Sequence, residues 1–194
     1  MATQLGSLYD RLGGGGPDGA PPPALATARL DLRPLRRSDA GLLALYAGEP
    51  RVARMTSTIP HPYPPGAALS FIEGAARVER EAVWALDGVR AGLPELVGTI
   101  GLRRPDVEGC EIGYWIAPPF WNAGLAREAV AAVIAARPFG PAAVRGVVFQ
   151  DNPASAHVLE AVGFRRVGEG ETHSVARGEA VATWIYRWTP PHAA

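Results

Sequence analysis

Trp121-Asn122-Ala123-Gly124-Leu125-Ala126 sets small residues at the opening of a helix-forming run, "LAREAVAAVIAA". The first N–H groups of a helix have no internal partners and carry the positive end of its dipole, so bare backbone from Asn122 to Ala126 suits an anion. Gly124 lets a ligand approach with no Cβ in the way. Arg127 either adds a charge-assisted contact to a phosphate or is a solvent-facing helical arginine. Further along, "QDNPASAHVLEAVG" sets Asn152 ahead of Pro153, as a helix cap is set, with Ser155 in the first turn. Glu111 lies on a strand-forming run, as a base or as a solvated edge charge. "GEGETHSV" carries Glu171 and His173, and His173 has an intrinsic pKa suited to proton transfer.

Composition narrows the chemistry. Nearly half of the 194 residues are apolar and the formal charges cancel, which gives no reason to expect nucleic acid or a membrane as partner. Every basic residue besides histidine is arginine, so a phosphate loop built on a lysine is excluded. The four histidines lack metal-ligand spacing, and no metal is expected. Cys110, the single cysteine, can form no internal disulfide and reads as a small buried residue rather than a nucleophile. With no bilayer-length apolar run and no secretory signal pattern, the expected location is the cytoplasm.

These residues need a scaffold. Residues 1–25 contain "GGGGPDGAPPPA" and read as a flexible tail with too little apolar surface to fold; residues 26–190 read as one domain. Leu30 and Leu32 alternate with charged neighbours, as in a half-buried strand. Ser38 or Asp39 is placed to cap "AGLLALYAG". "IPHPYPPG" is a proline-fixed loop, and "AALSFIEGAARVERE" a second helix presenting Leu69, Ile72, Ala76 and Val78/Glu79. "AVWALD" and "ELVGTIGLR" read as antiparallel strands. In "CEIGYWIA", Ile112, Tyr114 and Ile116 share one face, and Glu111, Gly113 and Trp115 the other. The glycine-opened helix follows, then strand "AAVRGVVFQ", the Asn152 helix, and strands "FRRVGEGE" and "AVATWIYRW". A strand–helix–strand crossover in the middle implies one parallel pair within a mostly antiparallel sheet, an α+β fold.

"EIGYWIAPPFWNAGLAREA" followed by "QDNPASAHVLEAVGF" resembles the GNAT acetyltransferases, in particular the RimJ/RimL-type branch, and "IPHPYPPGAALSFI" resembles the proline-rich loop and helix of that branch. The resemblance spans about Ala26 to Trp188. It implies a GNAT-like fold, with a splayed parallel strand pair and flanking helices. It also implies acetyl-CoA as cosubstrate, its pyrophosphate held by Asn122, Ala123, Gly124, Leu125 and Ala126. Pantetheine would pair with the strand end near Ile116 and Ala117, and Asn152 matches the family's asparagine. Ala123 departs from the basic or Gln side chain common there, and "EAVATW" from the His-Asp pair that often precedes the last strand.

The implied reaction is attack of an amine on the thioester. Ser155 matches a family serine near the sulfur, where its hydroxyl serves the departing thiolate; the alternative is a helix-entry serine bonded to backbone. A backbone N–H near Ile116 would meet the oxyanion. Several family members use a glutamate near the position of Glu111, directly or through water. The expected function is N-acetyl transfer to a primary amine, on a protein N-terminus or a small molecule. The alternative is a non-catalytic acetyl-CoA-binding regulatory protein. A homodimer is compatible with either.

Overall fold

Strand periodicity in the middle of the chain builds a sheet with one apolar set of side chains on each face. The computed structural model describes residues 21–76, 80–104, 109–140 and 142–190. Its elements are β1 (Leu25–Ala26), β2 (Asp31–Pro34), α1 (Ala40–Ala47), α2 (Pro50–Ala53), α3 (Ala67–Ala75), β3 (Glu81–Asp87), β4 (Gly98–Arg103) and β5 (Cys110–Ile116). They continue with α4 (Leu125–Ala136), β6 (Val144–Phe149), α5 (Pro153–Ala161), β7 (Arg165–Ser174) and β8 (Glu179–Trp188). The eight strands form one sheet in the order β1-β2-β3-β4-β5-β6-β8-β7. Every pairing is antiparallel except β5 with β6, where α4 supplies the crossover.

Each sheet face has its own core. Ile112 and Ile116 join Leu125, Ala129, Val130 and Val133 of α4 and Leu159 of α5 on one side. On the other, Val83, Ala85 and Leu96 meet Leu43 of α1 and Phe71 and Ile72 of α3, with Trp115 packed against them. Burying these groups supplies roughly 25 cal/mol per Å² of apolar surface, which no single polar contact here approaches in sum.

Arg33 fixes the β2–α1 corner. Its Nε donates to Asp87 at 2.8 Å, and its two terminal nitrogens donate to Asp39 at 2.9 and 2.8 Å, to Pro34 O at 3.2 Å and to Glu95 O at 2.8 Å. All five guanidinium donors are thereby used. The two aspartates raise the Arg33 pKa further above its usual value. Asp39 is fully buried, and its carboxylate also accepts from Arg36 N–H at 2.7 Å. Asp39 therefore does not cap α1 as the sequence suggests; it stands at the helix entry with its side chain turned to Arg33 and Arg36.

Two expectations change. The run through Glu81 is not one helix: α3 ends at Ala75, and Glu81 opens β3, where it pairs with Arg103 of β4. The buried stripe of α3 is Ala68, Phe71 and Ile72, with Leu69 at the surface, while Val78 and Glu79 lie outside the described residues. The second change concerns the tail. Residues 1–20 lie outside the described residues, but the chain touches the domain before Ala26. Pro22 is buried, Leu25 pairs with Leu32, and the Trp84 indole N–H donates to Pro23 O at 2.8 Å.

Trp84 is completely buried, so removing that acceptor strands a polar hydrogen. A stranded donor costs about 1–3 kcal/mol, and a chain of this size loses roughly 2–4 °C of melting temperature per kcal/mol. A chain beginning at Ala26 should melt several degrees below one beginning at Pro21. Equal melting temperatures by calorimetry would show the Pro23 carbonyl to be dispensable.

Candidate active site

The β5–β6 ladder is short. Only Cys110, Glu111 and Ile112 pair with Val144, Arg145 and Gly146. Beyond that point β5 stays with β4 as far as Ile116, and β6 stays with β8 as far as Phe149. The two strands therefore diverge, and a wedge opens between them. Which backbone groups face the wedge follows from register. Ala117 N–H donates to Val97 O at 2.8 Å, which makes Ala117, Trp115 and Gly113 the residues bonded to β4. The backbone groups of Tyr114 and Ile116 then point the other way, into the wedge, because hydrogen-bonding direction alternates along a strand.

This parity corrects one expectation. Ile116 faces the wedge, but the N–H of Ala117 is spent on Val97 and its C=O accepts from Phe120 N–H at 2.9 Å. Tyr114 takes its place as the second residue offering backbone there. The Ile116 carbonyl accepts from the Trp121 indole N–H at 2.6 Å, so Trp121 holds the turn between strand end and helix start.

The anion cradle stands next to that turn. Asn122 and Gly124 both have positive φ, 58° and 76°. Among the described residues, no backbone carbonyl receives the N–H groups of residues 122 to 127; the helical ladder begins with Glu128 N–H to Gly124 O. Six consecutive amides without a backbone acceptor at the N-terminus of a twelve-residue helix suit an anion. Leu125 is buried and anchors the first turn, Ala126 is partly covered, and Asn122, Ala123 and Arg127 are exposed.

Arg29, unanticipated from sequence, supports the cradle from β1–β2. Its guanidinium donates to Ala123 O at 2.7 Å and to Glu128 at 2.8 Å, and the Arg29 N–H and Thr27 hydroxyl also donate to Glu128, at 2.7 and 2.6 Å. These donors hold the Glu128 carboxyl below the usual range despite the opposing effect of burial. A Cβ on Gly124 would stand 3.5 Å from Arg29, so the guanidinium borders the cradle where Ala123 offers only a methyl group.

On the far side of the wedge, Asn152 caps α5 by accepting from Ser155 N–H at 3.2 Å. The Ser155 hydroxyl lies 2.9 Å from the Tyr114 hydroxyl, which also reaches Ser155 O at 3.1 Å. Burial raises the Tyr114 pKa well above its ordinary value, so the phenol keeps its proton. Tyr114 looked like a core aromatic because it alternates with Ile112 and Ile116. Cys110 is buried, and its thiol pKa is pushed up by that burial, as expected of an inert thiol.

A cavity of about 850 Å³ opens from the wedge to the opposite sheet face. Asn152, Ser155, Tyr114, Glu111, Glu171 and His173 all line it. Glu111 is paired with Arg103 at 3.3 Å. Glu81 also lines the cavity, although sequence reading leaves it at a helix end. It is 7% exposed, and burial pushes its carboxyl up to about 7, with Arg103 pulling down and Glu111 pushing up. Across the mouth, the β7–β8 turn is tied down: Val175 N–H donates to Ser57 O at 3.0 Å and Arg177 Nε to Arg54 O at 2.9 Å. Arg177 also forks onto Asp151 at 2.8 and 3.1 Å. Among the described residues no group of three or more His, Cys, Asp or Glu is placed to hold a metal, and no helix is long and apolar enough to cross a membrane.

Comparison with known proteins agrees with this geometry. Residues 29–165 match the family described as the acetyltransferase (GNAT) domain. The chain is 29% identical to the uncharacterized N-acetyltransferase YoaA of Bacillus subtilis, over 87% of this chain and 98% of that one. Its fold is similar to Mycobacterium smegmatis RimJ in complex with CoA-disulfide (TM-score 0.73, 20% identity, 87% of this chain and 88% of that). It is also similar to Vibrio cholerae spermidine N-acetyltransferase in complex with CoA and spermine (TM-score 0.70, 18% identity, 84% and 96%).

Two predictions follow from the geometry. Gly124→Val forces a β-branched residue to φ 76° and fills the cradle, so acetyl-CoA affinity should fall by roughly tenfold or more, about 1.4 kcal/mol. Calorimetric titration of a variant with unchanged circular dichroism checks this, and unchanged affinity rejects the cradle. For Glu81, a carboxyl pKa raised from 4.5 to about 7 means the native state holds its proton more tightly than the unfolded chain. Stability present below about pH 4.5 is then lost as pH rises through 7. Glu81→Gln removes that titration, so it should match the parent near pH 4.5 and melt several degrees higher at pH 8, a gain of up to about 3 kcal/mol.

Proposed function

The chain belongs to the GNAT acetyltransferase family, and from that premise we propose that it moves the acetyl group of acetyl-CoA to a primary amine by direct attack on the thioester. The single observation that carries this reading is the continuity of the wedge. Free amides at residues 122 to 127, the Tyr114 backbone and Ile116 N–H left open at the strand edge, and the Tyr114–Ser155 pair at the cavity follow one another from the start of α4 along the wedge. That path fits an elongated anion-headed thioester, with pyrophosphate on the cradle and the pantetheine amides on the strand edge.

Within this reading, Asn122, Ala123, Gly124, Leu125, Ala126 and Arg127 bind the cosubstrate, with Asn152 positioning α5. The Ile116 N–H meets the oxygen that becomes negative. Ser155 and Tyr114 supply the proton that the thiolate takes. Glu111 holds Arg103, and Glu171 and His173 border the acceptor. The proline-rich loop before α3 and the likeness to RimJ support the RimJ/RimL-type branch, and dependence on acetyl-CoA fits a cytoplasmic site of action. Both protein N-termini and small amines fit the mouth; the likeness to spermidine N-acetyltransferase supports the small amine.

Thiol release from acetyl-CoA across primary amines and short peptides with free N-termini tests the reading. Turnover of none of them, in protein that binds acetyl-CoA, would favour the regulatory alternative. A bond that strengthens only as charge develops lowers kcat when removed and leaves KM for acetyl-CoA nearly unchanged. Ser155→Ala should therefore cut kcat toward the low end of general-acid effects, about a hundredfold. Because Tyr114 and Ser155 act as one unit, adding Tyr114→Phe to Ser155→Ala should cost little more. Full turnover in Ser155→Ala would reduce Ser155 to a helix-entry residue.

A further inference from the structure

The acceptor half of the cavity has a floor without side chains. Gly101 of β4 and Gly113 of β5 are direct cross-strand partners, and a Cβ built on Gly113 meets nothing within 4 Å. The next cross-strand row on the same face is Glu81, Arg103 and Glu111. Glu81 leans over the floor, its Oε1 3.9 Å from where a Gly101 Cβ would stand. The two carboxylates differ in their commitments. Glu111 is held by Arg103, whereas Glu81 makes no hydrogen bond or ion pair among the described residues and is almost fully buried. A buried carboxylate without a partner is costly unless something brings it a counter-charge.

We propose that the acceptor enters the hollow over Gly101 and Gly113 as an alkylammonium ion and that Glu81, rather than Glu111, takes its proton. This inference rests on the acetyl transfer proposed above. With both glutamates ionised, Arg103 balances one charge, and the incoming ammonium balances the other. The ammonium N–H passes its proton to the Glu81 carboxylate. The freed nitrogen lone pair forms the C–N bond and the C–S bond breaks. The proton that leaves the new amide nitrogen ends on the thiolate through Ser155 and Tyr114, and Glu81 returns its own proton to water. The charged groups acting on Glu81 are Arg103 from β4 and Glu111 from β5; Glu171 and His173 from β7 line the same cavity, and Arg103 is the one permanent cation among these. The upward shift of Glu81 to about 7 suits a base working near neutrality. The floor also sets the acceptor's shape: with no Cβ at residue 113, a slender unbranched alkylamine fits and an α-branched one meets the Trp115 side.

Kinetics and spectroscopy test this together. In the parent, kcat/KM for n-butylamine should follow a bell, with an acid limb near pH 7 from Glu81 and an alkaline limb from the amine itself. Glu81→Gln should lose about a hundredfold at pH 7 and lose the acid limb, with activity rising toward high pH as free amine becomes available. In Glu111→Gln, Arg103 is released toward Glu81, so the acid limb should move to lower pH and persist. Unaltered acetyl-CoA affinity by calorimetry shows that each variant is folded. If Glu81→Gln keeps the parent's pH profile, the proposal is overturned. Independently of turnover, ¹³C-glutamate NMR should show one carboxyl, absent in Glu81→Gln, that titrates near 7 and moves to lower pH on adding n-butylammonium. Titration near 4.5, or no response to n-butylammonium, overturns the proposal even if other amines are acetylated. Failure of every amine to turn over, with that response intact, rejects acetyl transfer to amines and leaves the cation site standing.

Discussion

Everything in this molecule depends on the point where β5 and β6 stop pairing. Three residue pairs hold the strands together, and then each keeps only its outer neighbour. An unpaired strand edge is a liability unless something fills it. Here the vacancy is bounded by α4 on one strand and α5 on the other, so both helix starts converge on it. The core on one face secures α4 and α5 on either side of the wedge, and the Tyr114–Ser155 hydrogen bond reaches across it.

Arginine does the remaining joining. Arg33 closes the β2–α1 corner with all five donors, Arg29 fastens β1–β2 to the first turn of α4 through Glu128, and Arg177 fastens the last hairpin to the end of α2 and to the β6–α5 loop. A planar fork with fixed donor directions suits such joints better than a flexible ammonium does. The lysine-free composition thus has a structural counterpart, since the residues that position the site are forks meeting carboxylates and carbonyls.

Local chemistry made much of this legible in the sequence. Gly124, Asn152 with Pro153, and the alternation along β5 identified α4, α5 and the crossover, because each is set by neighbours in the chain. What stayed hidden is set by pairing. Ala117 follows the strand as plausibly as Ile116 does, and only the β4 register shows that its amide is spent. Tyr114 hid among isoleucines. Glu81 hid at the end of a helix-like run and becomes interesting only when β3 brings it beside Arg103 and over Gly101. Arg29 and Pro23 lie in stretches whose composition says little, and their roles come from partners Glu128 and Trp84, far along the chain.

The Arg177 clasp changes what kind of object the cavity is. By joining the hairpin turn to the carbonyl of Arg54 and the carboxylate of Asp151, it converts an open trough into an eyelet with two ends. In the acetyl transfer proposed above, cosubstrate and acceptor would approach from opposite sides and would not compete for one doorway. An eyelet also selects by girth rather than by sequence. In that proposal, whatever bears the nitrogen would present it at the tip of a thin tether, as a loose chain end or a slim molecule does and a side chain lying flat on a folded surface does not.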